Sequence, residues 1–246
     1  MLPLGILMLC AQLACAIHAG RTGRPFFWIY IIMFVPTVGM LAYLAVELVP
    51  EWMGSPKGRR AASDLGRALD PGRAVRQAER QVAMTPTAEN KATLAKAYLE
   101  AGRHDEAVSL YRETLVGIHA TDPALMQGLA RAVFAQRDYA GAEHVLDELR
   151  AANPDYQSAE GHLLYARSLE EQGKTEAALH EYAALAPYYP GQEARCRYAM
   201  LLEKAGEHRD AQRLFREICQ AIEMSPRHAR RLQRQWYDIA RRAVQT

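Results

Sequence analysis

Cysteine is scarce in this sequence of 246 residues, with four in all, at positions 10, 15, 196 and 219. No two stand at CxxC spacing, so neither a disulfide framework nor a cysteine-rich metal site is expected, and Cys196 and Cys219 read as reduced, buried thiols. An excess of one charge sign is also lacking, because the formal net charge is only +2, which excludes a uniformly polybasic or polyacidic chain. The eight histidines are scattered, and none has a second ligand at HExxH spacing. His104 and His208 fall in equivalent polar turns. There is no Walker-type glycine loop and no GxSxG elbow. The expectation is a non-enzymatic protein with no catalytic residue, no metal and no cofactor.

What is present is a recurring unit from about Thr87 to Arg227. A small residue early in one helix recurs at Ala95, Ala130, Ala166 and Ala199, at spacings of 35, 36 and 33. Twelve positions after each stands a second alanine, at Ala107, Ala142, Ala178 and Ala211, and one helical turn later a large side chain, at Tyr111, Leu146, Tyr182 and Phe215. The alanines allow close backbone approach. The large residues, with Leu94, Leu110, Leu129, Leu149, Leu169 and Leu214, fill the space between hairpins. Gly102, Gly173 and Gly206 punctuate the helices, with Arg137-Asp138 in the unit that lacks glycine. Asn153-Pro154 and Tyr189-Pro190 close units in matching phase, whereas Asp122-Pro123 and Ser225-Pro226 come three or four residues late, predicting about one extra helical turn at each.

Each unit reads as a helical hairpin that cannot bury its apolar face alone, so stacked copies form a solenoid. The pattern resembles the tetratricopeptide repeat family over roughly 140 residues. It lacks the tryptophan of that family near the start of the first helix, and alanine replaces the early glycine in all four copies. A degenerate second helix of a further hairpin also fits upstream, at Ala74, Ala78 and Thr85-Pro86.

The chain begins with two apolar runs, about 2–19 and 25–49, joined by Gly20 to Arg24. The second is long enough to span a bilayer and the first is marginal. Trp28 and Tyr30 at one end and Trp52 at the other stand where interfacial aromatics belong, and Arg59 and Arg60 follow as headgroup contacts. No positive charge precedes the first run, so a cleaved signal at Ala14-Cys15-Ala16 is disfavoured against a membrane hairpin. The stretch Pro25 to Glu51, with internal Pro36 and Gly39, resembles the second helix of the two-span domain that precedes the catalytic part of cardiolipin synthases and related phospholipase D-like proteins. The catalytic part of that family uses a His-x-Lys motif, which occurs nowhere in this chain. Five basic residues just after the second run, against two in the connecting loop, place both termini and the repeats on the cytoplasmic side.

Charge is uneven along the chain: net +3 over residues 51–85, −7 over 86–224 and +5 from 225 onward. In the last segment Arg227, Arg230, Arg231, Arg234, Arg241 and Arg242 share one helical face and Leu232, Trp236, Ile239 and Ala240 the other, which predicts a capping helix. No aromatics interleave with the arginines, so nucleic acid is a disfavoured partner.

In tetratricopeptide repeats the first helix of each hairpin lines the concave face, and the residue after the early small position points into it. The resemblance therefore implies a peptide-binding groove in which Lys96, Arg131 and Arg167 hold carboxylates of an acidic protein or peptide partner, with Leu99 and Phe134 as an apolar shelf. The competing expectation is that these cations pair with Glu100, Glu170 or Glu171 and merely solvate the groove.

The expected architecture is all-α: a membrane hairpin over 1–52, a basic juxtamembrane linker with a half repeat over 53–86, four tetratricopeptide-like repeats over 87–226, and a basic amphipathic capping helix over 227–246. The expected function is a membrane-anchored adaptor or scaffold at the cytoplasmic face of a bacterial inner membrane, which binds a protein partner without catalysis. The alternative is a lipid-responsive module whose hairpin recognises anionic phospholipid. Swapping the hairpin for an unrelated anchor separates the two, since only the adaptor keeps working. The solenoid ends and the hairpin both offer self-association surfaces, and the sequence does not choose an oligomeric state.

Overall fold

A computed structural model describes residues 27–34 and 72–245, with isolated positions at Leu13, Ile17, Arg21, Ala42, Val46, Pro50, Gly54, Ser55, Gly58, Arg59 and Asp70. The chain divides into two units, Met1–Arg73 and Ala74–Thr246. In the first, helix α1 (Phe27–Phe34) exposes Tyr30 and Met33 and buries Ile32. A turn at Ser55 is closed by the Gly58 amide donating to the Ser55 hydroxyl at 3.0 Å. Among the described residues no helix is long and apolar enough to cross a membrane. Most of the two apolar runs lies outside the described residues, as do Trp52 and Arg60.

The second unit is helical throughout its described length: α2 (Arg73–Met84), α3 (Ala88–Glu100), α4 (His104–Thr114), α5 (Pro123–Ala135), α6 (Tyr139–Ala152), α7 (Ala159–Glu171), α8 (Thr175–Leu185), α9 (Glu193–Lys204), α10 (His208–Met224), α11 (Arg227–Leu232) and α12 (Arg234–Gln245). Helix starts follow from local chemistry. Thr87, Asp122 and Ser158 cap α3, α5 and α7 by accepting amide hydrogen bonds from residues two or three positions on, and Pro123 opens α5, where its missing N–H costs nothing.

All eight repeat alanines are 0 % exposed, which is the close approach their size permits. Tyr182, Phe215, Leu185 and Ile218 lie fully buried between successive hairpins. At the start of the array, Val75 and Ala78 of α2 pack with Leu94 and Ala97 of α3, so α2 covers the first hairpin. At the far end Trp236, Ile239 and Ala240 of α12 pack against Cys196, Phe215 and Ile218. The capping segment is two helices, not one: the chain breaks at Gln233, and Leu232 is 82 % exposed instead of joining the apolar stripe.

The late prolines behave differently from each other. Helix α10 runs 17 residues and absorbs the extra length before Ser225-Pro226 as a further turn. Before Asp122-Pro123 the extra residues leave the helix at Thr114 and form a short 3-10 turn at Gly117–His119. Val116 adopts an extended conformation there, and β-branched residues favour it over helix.

The turn between paired helices requires a left-handed residue. Gly102, Gly173 and Gly206 supply it at φ of 75°, 74° and 88°, and in the second hairpin Arg137 adopts φ 65°. A side chain there is strained by about 1 kcal/mol. Arg137→Gly should therefore stabilise the protein by roughly 0.5–1 kcal/mol, raising Tm by about 1–4 °C in a calorimetric scan.

Neighbouring hairpins are tied by polar struts from glutamines at equivalent positions, each six residues after the early alanine, to acceptors at different positions. The Gln136 amide donates to Asp105 at 2.6 Å, and one repeat later Gln172 donates to Glu143 at 2.6 Å. Lys174 adds an ion pair to Glu143 at 2.7 Å. Burial pushes the Glu143 carboxyl up, but the bonds from Lys174 and Gln172 outweigh it and hold the group below the usual carboxylate range. A depressed folded-state value means that the stabilisation is present above about pH 4.3, the unfolded value, and is lost as pH falls through the folded one. Glu143→Gln should cost under about 1 kcal/mol at pH 7, because the Lys174 side chain is largely solvated, and should flatten the loss of stability below pH 4 in urea titrations.

Candidate functional site

The residues one position after the early alanines belong to α3, α5, α7 and α9, so the repeat geometry places Lys96, Arg131, Arg167 and Met200 at the same point of successive helices. Lys96 and Arg131 are exposed and line one cleft of 370 Å³ with Glu89, Gln127 and Tyr156. The floor of this cleft depends on Gly128. A Cβ there would stand 2.6 Å from the Tyr111 ring, so only glycine lets α5 close on α4. Burial raises the Tyr111 hydroxyl's pKa, and the nearby Arg131 charge opposes the shift. Tyr156, in the loop before α7, donates to the Gln127 side chain at 2.8 Å.

Arg167 is held differently. Its guanidinium carbon lies 4.8 Å from the Phe134 ring centroid, and its Nε is buried without a hydrogen-bond partner. Phe134 in turn meets Tyr139 edge-on at 5.1 Å. Leu99 and Phe134 are half-buried and pack against the core of the first two hairpins, so each presents only part of its surface.

Among the described residues no carboxylate lies within 4.0 Å of Lys96, Arg131 or Arg167. Of the carboxylates expected to neutralise them, Glu170 is engaged elsewhere. Glu170 accepts the Tyr182 hydroxyl at 2.6 Å and lies 3.9 Å from Arg197, which also bonds Glu193 at 2.9 Å. Burial, then Glu170, pushes the Tyr182 hydroxyl far up. Burial and Glu160 likewise push Tyr189 up to about 12, with Arg167 opposing. The basic row ends at the fourth hairpin, where Met200 replaces the cation and Arg197 is committed to Glu193 and the Trp236 ring, 5.5 Å away.

Of the residues expected at a membrane interface, Trp28 and Tyr30 fall in α1, Tyr30 is 64 % exposed, and Arg59 follows the turn at Ser55. Among the described residues no three His, Cys, Asp or Glu side chains converge to hold a metal ion. Cys196 is buried and its thiol is pushed up to about 12 by desolvation, which leaves it inert at neutral pH.

Two features escaped the repeat pattern. Tyr156 reaches the Lys96–Arg131 cleft from an inter-hairpin loop, and such loops differ from one unit to the next. A second cleft, of 500 Å³, is lined by Arg150, Tyr156, His162 and Tyr188. His162 bonds Glu181 at 2.6 Å and the Tyr188 hydroxyl, while Arg150 stacks on Tyr165 at 4.0 Å. His162 stands alone in sequence, so no spacing signals this cluster.

A tetratricopeptide repeat family model matches residues 98–167 and another matches residues 59–123. No curated protein matches the sequence. Among solved structures, TTC0263, a thermophilic TPR protein of Thermus thermophilus, is similar at 20 % identity and a TM-score of 0.55, over 73 % of this chain and 95 % of that one. The kinesin light chain-type TPR-like repeats of Podosopora anserina align at 19 % identity and a TM-score of 0.49, over 65 % of this chain and 92 % of that one. The chain contains tetratricopeptide repeats, and its helical array is a solenoid of that type.

Proposed function

We propose that this tetratricopeptide-repeat chain is a non-catalytic scaffold that grips an acidic segment of a protein partner along its first three hairpins. A solenoid of this kind works as an interaction surface, and the groove residues say what chemistry suits it. The observation that carries the reading is the row Lys96, Arg131 and Arg167, whose charges have no carboxylate within 4.0 Å among the described residues even though the repeats as a whole are acidic. Three cations without an internal carboxylate form a site for carboxylates from outside, with the Gln127 side-chain amide, whose oxygen accepts the Tyr156 hydroxyl, beside Lys96 and Arg131. The apolar runs at 2–19 and 25–49 support a second part of the proposal, that the scaffold is anchored in a bacterial inner membrane with its repeats in the cytoplasm. Anchoring restricts the partner to two dimensions and raises its effective concentration for other proteins on that surface.

Affinity capture from gently solubilised membranes tests the groove. The native chain is compared with a variant carrying Lys96→Glu, Arg131→Glu and Arg167→Glu. A protein recovered with the native chain and lost from a variant with native circular dichroism is the expected result. Equal recovery with both would overturn the basic groove.

A further inference from the structure

The arginines at the end of the array form a second basic site, separate from the groove. Arg227, Arg230, Arg231 and Arg234 line a cleft of 400 Å³ with Glu223 and Tyr237. Among the described residues Arg227, Arg230 and Arg231 have no carboxylate within 4.0 Å, and Arg234 has only Asp238, at 3.7 Å. The one acidic residue in the cleft, Glu223, accepts the Tyr237 hydroxyl at 2.6 Å. A helix that served only as a cap would not need four guanidinium groups gathered on one concavity, where their mutual repulsion is unfavourable. We propose that this cleft is a docking surface for the phosphates of an anionic lipid bilayer.

Two observations favour lipid over the other polyanion of comparable chemistry, nucleic acid. First, large apolar side chains stand exposed in the same stretch of chain: Met224 is 84 % exposed and Leu232 is 82 % exposed. A bilayer surface takes apolar side chains at the headgroup boundary while arginines hold its phosphates; a nucleic-acid backbone has no place for them. Second, the aromatic rings are committed. Trp236 and Tyr237 are both half-buried against the terminal core, Trp236 with Arg197 over its ring and Tyr237 with its hydroxyl on Glu223, so neither stands out as an exposed platform for stacked bases. The segment from residue 225 onward carries net +5, against −7 for the repeats over 86–224, so the positive charge follows the acidic repeats at this end of the array.

The proposal extends the membrane part of the preceding reading but not its groove, and the two fail separately. The full chain is mixed with neutral phosphatidylcholine vesicles or with vesicles containing phosphatidylglycerol. Flotation with neutral vesicles reports the apolar runs; amide hydrogen exchange in residues 225–245 reports the arginines. On phosphatidylglycerol vesicles, exchange in α11 and the first turn of α12 should slow by about tenfold relative to neutral vesicles, and the protection should vanish in high salt. The protection should be lost in R227Q/R230Q/R231Q/R234Q and kept in the corresponding lysine variant, which retains charge. Equal exchange on both vesicle types, or protection surviving in a glutamine variant that melts like the native chain, would overturn the proposal. Equal protection by single-stranded RNA at matched phosphate concentration would overturn the lipid assignment and give the cleft to nucleic acid.

Discussion

Phe215→Ala lowers the free energy of unfolding by roughly 3–5 kcal/mol, the largest single-residue loss expected in the array. The ring is 1 % exposed and packs among Ala199, Ala211, Cys196 and Ile218, where the fourth hairpin meets the capping helix. Those neighbours are small or held by their own helices, so they cannot collapse into the space left behind, and the cavity term adds to the lost transfer energy. A solenoid transmits stability mainly between neighbours. The loss should therefore concentrate in α9 to α12, with exchange accelerating there first and the α3–α6 hairpins retaining protection. Urea denaturation gives the magnitude. A loss below about 1 kcal/mol would mean that the aromatic position of the fourth repeat is not a core position.

Arg167→Met has the opposite profile, costing function and not stability. The native Nε is buried without a partner, an arrangement that costs about 1–3 kcal/mol, and a thioether of similar length can keep the contact with Phe134. The variant should melt at or above the native temperature. Its affinity for a captured acidic partner should fall by about 10–100-fold, since a charge-assisted hydrogen bond from a partly desolvated guanidinium is among the stronger single contacts in an interface. Arg167→Lys should fall between the two, because an ammonium lacks the planar fork. If Arg167→Met instead destabilises the chain as a core truncation does, the guanidinium is structural and the groove loses its third cation.

The fold of the repeats was legible because each hairpin repeats the same steric requirement. The phase of Ala95, Ala130, Ala166 and Ala199 located the helices, and the left-handed turn at Arg137 was readable from its place in the series although no glycine stands there. What the pattern could not convey lay between the repeats. The insertion before Pro123 became a 3-10 turn instead of more helix, and the break at Gln233 turned Leu232 outward from a stripe that periodicity had continued through it. The site followed the same division. The register of the cations was readable from the repeat, whereas the engagement of Glu170 depended on Tyr182 and Arg197 reaching it, contacts spanning different helices that no single-helix spacing encodes.

The measurement that bears most directly on the central claim is a selection of random peptides with free C-terminal carboxylates on the full chain, read against the triple variant Lys96→Glu, Arg131→Glu and Arg167→Glu. Enrichment of Asp and Glu on the native chain, with that enrichment lost or reversed on the variant, is the result this account predicts. Peptides selected without regard to charge, or the same peptides on both proteins, would contradict it.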